Sequence, residues 1–298
     1  MAEKPVYSSK LLNDEIEKSK GVYYPVKAGF LRCLLIKHAY CSKLHPNLED
    51  EFCDPAIGPN YGIIKRYQLD FKKPKPLPSK SYEGETGDAQ EPLIVQKARP
   101  DGYMILNGHH RWAAALLLGV RRLKIRIVNL TQESDIHEML EKSRSDTRVA
   151  LDLDEVVFCS GDSAFVEKPL RFPLNRIYKE RLRLGVPALF HFINSRNYDI
   201  WVYTSKYYSM EYIYYFFKRW GVHLNGIVTG TGRKGDTTAT MRELNRLLDT
   251  KYSSTIYIDN GLLMRTFSGS KEREECQLSG SPETWSKEVI DAIERWHR

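Results

Sequence analysis

The sequence predicts an α/β protein of two domains, in which an α+β domain precedes a domain with a parallel sheet. Its 298 residues exceed the usual size of one domain. Hydrophobic residues make up 42% of the chain, which is enough for packed cores. The second half alternates strand-like and helix-like segments, a pattern typical of parallel sheets with helices on both faces.

The first half is predicted to mix helices and strands. The charged segment LLNDEIEK predicts a helix within residues 1–20, and the turn ARPDG predicts a hairpin. Segments 45–62 and 72–92 are rich in proline, glycine and polar residues, which predicts surface loops. The other predicted elements are strands at Leu31–Lys37, Pro92–Lys97 and Tyr103–Leu106, a helix at His110–Leu118 and a strand at Lys124–Val128.

The second half is predicted to begin after a helical linker. Ser134–Arg144 has the composition of a capped helix, and SRSDT that of a linker. From Arg148 onward, strands and helices alternate. The predicted elements are a strand at residues 149–153, a helical region at Asn175–Ile193, a strand at Asp199–Tyr203, a helix at Met210–Trp220, a strand at Gly226–Thr229, a helix at Thr238–Leu248 and a strand at Thr255–Ile258.

Charge and cysteine content restrict the class of protein. The formal net charge of +7 favours anionic partners such as phosphorylated metabolites, nucleotides or nucleic acid. A basic surface that only keeps the protein soluble is the alternative. Five scattered cysteines without a CxxC pair fit neither a disulfide framework nor a zinc cluster. With no signal-peptide pattern and no apolar span, a cytoplasmic protein without membrane contact is expected.

Polar side chains follow the predicted strands of the second half. Asp152 and Asp154 end the first strand, Thr204 follows the second, Lys234 precedes a helix and Asp259 follows the strand TIYI. In parallel sheets, ligands bind at the carboxyl ends of the strands. Alternation along an extended chain would direct the Asp152 and Asp154 carboxylates to the same side. This edge of the sheet is therefore the predicted active site.

These residue types suit phosphoryl transfer. The reaction needs an anionic nucleophile, a proton donor for the leaving oxygen, and cations for the negative charge of the phosphoryl group. A carboxylate would be repelled by a phosphate dianion, and Mg²⁺ removes that repulsion by binding both.

The segments VALDLDEVVF, WVYTSKYYS, RKGD and IYIDN resemble the four motifs of the haloacid dehalogenase (HAD) superfamily. The resemblance covers residues 148–298 and implies a Rossmann-like domain with an aspartyl-phosphate intermediate on Asp152. Asp154 would be general acid and then base, and Thr204 would bind the phosphoryl group. Lys234 would neutralise charge. The implied magnesium ligands are Asp152, Asp154 and Asp259, and all three are expected in the metal site.

Asn260 departs from family members that carry a second acid after the fourth motif, but Asp-Asn is similar to the small phosphatases that act on RNA-polymerase tails. Little sequence between the first two motifs resembles a large cap domain, so an extended substrate is allowed.

Each candidate residue of this site also has an ordinary interpretation. The paired acids can be solvated, the threonine can cap a helix, and the lysine can be a surface charge.

A second candidate site lies where the strand YMIL runs into Asn107, Gly108, His109, His110 and Arg111. The glycine lets the backbone approach a ligand closely, and a helix N-terminus presents free amides to an anion. Arg111 can bind phosphate oxygens with two nitrogens, and the histidines can add donors. The pattern predicts a phosphate site without a Walker motif.

This stretch resembles the ParB/sulfiredoxin superfamily, and GHHRW is similar to its ADP-dependent free-serine kinases. The resemblance spans residues 22–130 and implies that Asn107–Arg111 hold the phosphates of ATP, ADP or another nucleotide. It also implies that an acid of LEDEF is the base for a substrate hydroxyl. Glu49 is the preferred candidate over Asp50 and Glu51. The turn lacks the reactive cysteine of sulfiredoxin, which argues against sulfinic-acid repair.

Ordinary interpretations apply to this half as well. The two histidines can cap or pack, and LEDEF can be a solvated acidic run. The basic stretch of Arg121, Arg122, Lys124 and Arg126 can contact nucleic acid or form a solvated strand edge.

The sequence thus predicts four segments. These are an extension (1–21), a ParB/sulfiredoxin-like α+β domain (22–131), a helical linker (132–147) and a HAD-like domain (148–298). The predicted function is a Mg²⁺-dependent phosphohydrolase or phosphotransferase with a nucleotide-binding first domain. If the first domain were also a kinase, the protein would be a bifunctional enzyme. Its substrate would be a phosphorylated small molecule or nucleotide. The alternative is a nucleotide-switched nucleic-acid-binding module with a vestigial HAD domain.

Overall fold

The computed structural model describes residues 4–73, 91–159, 165–231 and 237–296. The chain divides into two compact units, Met1–Asn129 and Leu130–Arg298. Most of the predicted loop at 72–92 and the candidate Lys234 lie outside the described residues. None of the described helices is long and apolar enough to cross a membrane.

The first unit mixes helices and short strands, as predicted. In chain order its described elements are α1 (Lys4–Ser19), β1 (Tyr24–Val26), α2 (Phe30–Cys33), β2 (Ile36–Tyr40), β3 (Leu44–Pro46), α3 (Tyr61–Lys72), β4 (Leu93–Arg99), β5 (Tyr103–Asn107), α4 (His109–Leu117) and β6 (Arg122–Ile127).

One mixed sheet organises this unit. Its strand order is β2-β6-β4-β5-β3, and β1 pairs with β4. The predicted hairpin at ARPDG is confirmed, because β4 and β5 pair antiparallel on either side of it. Val95, Ile105 and Ile125 are fully buried in the core. Ala113–Ala115 of α4 are also fully buried, and their small side chains allow the helix to pack closely on its neighbours.

The predicted strand at Leu31–Lys37 is only half correct. Residues 30–33 form the short helix α2, and the strand begins at Ile36, where pairing with Arg126 starts. The apolar run predicted a strand from Leu31, but Leu31 lies in α2 and is 74% exposed. Hydrophobicity alone cannot distinguish a buried strand from an exposed apolar segment.

The second unit contains more elements than were predicted. In chain order the described ones are α5 (Glu133–Lys142), β7 (Thr147–Asp152), β8 (Phe158–Cys159), β9 (Arg181–Leu182), α6 (Val186–Ser195), β10 (Asp199–Thr204), α7 (Met210–Arg219), β11 (Gly226–Thr229), α8 (Thr237–Lys251), β12 (Ser254–Ile258), β13 (Leu262–Phe267), β14 (Arg273–Gln277) and α9 (Trp285–Trp296).

The main sheet of this unit has the order β11-β10-β7-β12-β13-β14. The four predicted strands, β7, β10, β11 and β12, are parallel. The last two, β13 and β14, are antiparallel and were not predicted. Only residues 259–261 separate β12 from β13. A parallel connection needs a dozen residues or more, so this hairpin has to be antiparallel.

Helices cover both faces of the sheet. Ile200 and Val202 of β10 pack in one cluster with α6, α7 and α9. Trp201 points to the other face, where it packs with Ile136 of α5 and with α8. The alternation along β10 is that expected of a strand buried on both faces. Helix α5, which the sequence interpretation assigned to a linker, packs within this unit.

The predicted helical region at Asn175–Ile193 is helical only in part. Residues 174–176 form a single tight turn, and Arg181–Leu182 then pair with Phe158–Cys159 as a two-stranded ribbon. Helix α6 starts after Gly185, which has φ of 81°. The pairing of these short strands depends on residues distant in sequence, which local composition does not reveal.

Candidate functional site

Three strand ends bring the predicted residues of the second unit to one edge of the sheet. The register pairs Asp152 of β7 with Tyr203 of β10, so Thr204 is the next residue at this edge. On the other side, Leu151 pairs with Ile258, so Asp259 follows its strand at the level of Asp152. Adjacent strands lie about 4.8 Å apart, so the prediction of a shared edge is supported.

Asp152 ends its strand and begins a helical turn at residues 153–157. Its Oδ1 accepts hydrogen bonds from the amides of Asp154 at 2.6 Å and Glu155 at 3.0 Å. Such bonds cap a helical turn and fix the carboxylate. The expectation that Asp152 and Asp154 lie on one extended strand is therefore wrong, because the strand ends between them.

Asp154 instead faces the end of β10. Its carboxylate accepts a hydrogen bond from the Thr204 hydroxyl, 3.0 Å from each oxygen, and bonds of 2.8 Å from the amide and hydroxyl of Ser205. The ammonium of Lys206 lies 3.7 Å away, and the Asp154 side chain is only 9% exposed. Thr204, expected to bind a phosphoryl group, orients Asp154 in this structure.

Asp259 is exposed and belongs to a network on the far side of Asp152. Its backbone carbonyl accepts a hydrogen bond from the Trp285 indole at 3.1 Å. The next side chain, Asn260, accepts a bond from Arg183 at 2.6 Å and donates to the Glu155 carbonyl at 3.3 Å. The network ties Asp259 and Asn260 to the turn that follows Asp152.

Arg183 is 7% exposed, and its guanidinium stacks over the Trp285 ring at 4.1 Å. Burial lowers the pKa of Arg183 from its ordinary value, although an arginine remains charged in proteins. Arg183 borders a cleft of about 500 Å³ with a mixed apolar and polar lining. The cleft is lined by Asp154, Glu155, Val156, Phe158, Cys159, Phe165, Arg183, Asn260 and Pro282.

A magnesium ion would find two oxygen ligands at this edge. Among described residues, neither Oδ2 of Asp152 nor Oδ2 of Asp259 accepts a hydrogen bond. Mg²⁺ commonly binds one or two carboxylates together with water and substrate phosphate, so these acids fit it. Asp154, the third expected ligand, has both oxygens already bonded. No group of three His, Cys, Asp or Glu side chains suited to a metal occurs in the described part of the chain.

The turn of the first unit is built around Gly108. This residue precedes α4 with φ of 101°, and an added Cβ would overlap the Leu93 side chain. A left-handed conformation without room for a side chain requires glycine. The N-terminal amides of α4 are therefore presented at a close-packed turn, as predicted for this segment.

Arg111 is 5% exposed and is held on two sides. One terminal nitrogen donates to the Glu91 carbonyl at 3.0 Å and lies 3.3 Å from the Glu91 carboxylate. The other donates to the Asn107 side chain at 3.2 Å. Its Nε is buried and has no hydrogen bond among the described residues.

The two histidines bind the backbone rather than pointing to open space. Nε2 of His109 accepts a hydrogen bond from the Asn47 amide, and Nε2 of His110 accepts one from the Asn60 amide, both at 3.1 Å. Burial lowers the pKa of His109 to about 4 and also lowers the pKa of His110. Both rings accept these backbone bonds through Nε2, so they position the loop between residues 47 and 60.

The structure also distinguishes among the acids of LEDEF. Asp50 Oδ2 lies 3.5 Å from Nδ1 of His109. Glu49, the preferred candidate, is exposed, and among the described residues its hydrogen bond is that of its backbone amide to the Asn47 side chain at 3.2 Å. Asp50 is therefore the acid that the structure brings to the turn.

Sequence reasoning missed Lys206, Arg183 and Glu91. Lys206 stands two residues after Thr204 in the quoted motif, so its position was a usable signal. Arg183 sits in the alternating segment RLRL, which gives no indication that it meets Asn260, 77 residues away. Glu91 lies 20 residues before Arg111, and only the pairing of β4 and β5 brings them together.

Comparison with known protein families gives one finding. Residues 84–143 match the family described as the ParB N-terminal domain. The match contains the β4–β5 hairpin, the turn at Gly108, α4 and β6, and it confirms the ParB-like resemblance for this segment. No curated protein and no solved structure matches the chain. The resemblance of residues 148–298 to the HAD superfamily remains a prediction.

Proposed function

We propose that the second unit is a Mg²⁺-dependent phosphohydrolase or phosphotransferase that acts through Asp152, and that the first unit binds a nucleotide. The main support is that the ends of β7, β10 and β12 bring Asp152, Thr204 and Asp259 to one sheet edge. The HAD-like motifs imply such a shared edge for these three residues.

Asp152 is the nucleophile in this proposal. Two backbone amides bind its Oδ1 and fix the orientation of the carboxylate. Attack on phosphorus forms an aspartyl-phosphate and breaks the phosphorus–oxygen bond to the leaving group. Water then attacks phosphorus, and the bond between phosphorus and Asp152 breaks to release phosphate.

Asp154 moves the proton in both steps. In its acid form it protonates the leaving oxygen, and as a carboxylate it takes a proton from the attacking water. Thr204 and Ser205 hold the side chain in place, and a side chain held at the required position reacts faster than a mobile one.

Charge at the site is balanced by cations. Asp152 and Asp259 would hold Mg²⁺, which when bound neutralises the phosphate and removes its repulsion from the nucleophile. Lys206, 3.7 Å from Asp154, adds a protein cation. Lys234 keeps its proposed role from the motif RKGD. Arg183 keeps Asn260 against the turn after Asp152, so it is a positioning residue.

The first unit is proposed to hold phosphate groups of ATP, ADP or another nucleotide at the start of α4. The left-handed Gly108 and the Arg111 guanidinium beside it support this, because helix N-termini and guanidinium groups bind anions. If the bound nucleotide serves a kinase reaction, the geometry favours Asp50 over Glu49 as the base for a hydroxyl.

Phosphate release from phosphorylated metabolites, nucleotides, phosphopeptides and nucleic-acid ends, with Mg²⁺ or EDTA, tests the proposal for the second unit. Asp152→Asn keeps an acceptor for the two amides and is expected to abolish release. The matched control is Asp291→Asn, on the exposed side of α9. Phosphate release that persists in Asp152→Asn, or that is unchanged by EDTA, would contradict the mechanism.

Nucleotide binding is tested separately by calorimetry with ATP and ADP. Arg111→Met is expected to weaken binding, whereas Asp152→Asn is expected to leave it unchanged. Equal binding by Arg111→Met and the parent protein would contradict the site in the first unit. The two assays therefore test the two parts of the proposal independently.

A further inference from the structure

Strands β2 and β6 of the first unit form an exposed sheet face that carries a row of cations. The antiparallel register pairs Ile36 with Arg126, His38 with Lys124, and Tyr40 with Arg122. All six side chains are exposed, while Ala39, Leu123, Ile125 and Ile127 between them are buried. We call the six exposed residues the basic face.

Among the described residues, no acid forms an ion pair with the cations of the basic face. Strands β2 and β6 contain no Asp or Glu. Lys124 and Arg126 have no side-chain partner among the described residues, and Arg122 contacts Tyr40, through its ring at 4.3 Å and its hydroxyl. Like charges that neighbour each other on a sheet repel. An anionic ligand would remove this cost.

The spacing of the cations favours an extended ligand. Arg122, Lys124 and Arg126 are two residues apart along β6, so about 6.6 Å separates neighbours and about 13 Å separates the ends. A single phosphate contacts at most one or two of them. A chain of phosphates can contact all three, and each contact releases bound counterions.

The side chains of β2 indicate that the ligand is single-stranded. Tyr40 and His38 offer exposed rings beside the cations, and Ile36 offers an apolar contact. Unpaired bases can stack on exposed rings, and this mode of binding tolerates any sequence. The bases of a duplex are already stacked inside the helix and would leave these rings unused.

The position of β2 leaves room for such a ligand. It is the terminal strand in the order β2-β6-β4-β5-β3. Leu31 and Leu35, just before it in the sequence, are also exposed. We infer that the basic face binds single-stranded nucleic acid along β2 and β6. This inference does not depend on the function proposed above.

Fluorescence anisotropy of labelled single strands, 20 nucleotides of DNA or RNA, tests the inference on the full chain. A 20-base-pair duplex and a labelled polyglutamate peptide serve as comparison ligands. Three phosphate contacts predict a slope of about −2 for log affinity against log salt, since each contributes about −0.7. A fourfold rise in salt should therefore weaken single-strand binding roughly 16-fold.

The triple variant Arg122→Gln, Lys124→Gln and Arg126→Gln should lose most of this binding and most of its salt dependence. The matched control changes Lys65, Arg66 and Lys72 of α3 to Gln, which are exposed and alter the net charge equally. The control should bind within about twofold of the parent. Circular dichroism and melting temperature check that both variants fold.

A ring variant tests stacking separately. Tyr40→Ala should weaken binding about fivefold or more, while Tyr40→Phe should retain it. Equal losses in the two triple variants would reduce the effect to net charge and overturn the inference. So would duplex binding as tight as single-strand binding, or no binding of any strand. Binding of polyglutamate but not of nucleic acid would also overturn it and indicate an acidic protein partner.

Discussion

The two candidate sites use their polar side chains differently. At the sheet edge of the second unit, Asp152 and Asp259 each keep one carboxylate oxygen free of hydrogen bonds from described residues. At the turn of the first unit, His109 and His110 are bound to backbone amides. The first arrangement can do chemistry with side chains. The second maintains a backbone turn at the start of α4.

This difference shows why residues of two equally clear sequence motifs can have different roles in the structure. A histidine next to a glycine turn looks like a ligand donor, but burial removes water and its nitrogens must then bond within the protein. A carboxylate at the end of a parallel strand stays at the rim, where solvent and ligands can reach it. The comparison predicts that changes at the sheet edge alter activity, and that changes at the turn alter stability.

After Asp152→Asn, the Asp154→Asn variant should have the largest effect on activity. We expect phosphate release to fall by roughly 10²- to 10⁴-fold, because an amide cannot exchange a proton with the leaving oxygen or with water. The measurement is kcat with the best substrate of the panel. Nucleotide binding by the first unit and the melting temperature should stay the same. Unchanged kcat would show that Asp154 takes no part in the mechanism. It would also contradict the expectation that changes at the sheet edge alter activity.

Gly108→Ala should strongly destabilise the first unit. The left-handed φ of 101° and the overlap with Leu93 together should cost about 3 kcal/mol of unfolding free energy. Gly119→Ala is the matched control, since Gly119 has φ of 71° with open space around its Cα and should cost only about 1 kcal/mol. Urea denaturation gives both values, and equal losses would show that packing at Gly108 is unimportant.

The histidines predict a pH dependence of stability. The folded-state pKa of His109 is lowered to about 4 by burial, while the unfolded chain should titrate near 6.5. The unfolded state therefore binds more protons between these values, so stability is complete above pH 6.5 and falls as pH drops toward 4.

Urea midpoints at pH 7.5 and 5 measure this loss. The variant His109→Gln, whose amide oxygen can accept the Asn47 bond without titrating, should lose less stability over the same range. If the parent protein and the variant lose the same stability between pH 7.5 and 5, the acid sensitivity must come from groups other than His109.

Arg183→Met should have the smallest effect. It removes the hydrogen bond to Asn260 but keeps much of the contact with Trp285, so we expect kcat to fall about tenfold with little loss of stability. Addition of Mg²⁺ in excess should restore part of the activity if the network positions Asp259. An effect on melting temperature alone would make Arg183 a purely structural residue.

Local pattern predicted the main elements well. The strands at β7, β10, β11 and β12 and the helices α4, α7 and α8 lie within a few residues of their predicted positions. The edge shared by Asp152, Thr204 and Asp259 also followed from strand order, since parallel strands end at the same rim. These predictions succeeded because strand alternation and helix periodicity are properties of the chain itself.

Tertiary structure decided the contacts that give individual side chains their roles. The sequence alone predicted an apolar strand at residues 149–153 beside Asp152, observed at Thr147–Asp152, and a helix opened by the turn at Gly108. It did not determine that Asp154 turns toward Thr204, that His109 and His110 bind amides of a loop, or that Arg183 meets Asn260. Hydrogen bonds within a residue's own element depend on its neighbours in sequence. Hydrogen bonds to partners 50 to 77 residues away, by contrast, depend on how the strands pair. They also depend on which polar groups are buried, because a buried group has no water to bond and must find a partner in the protein.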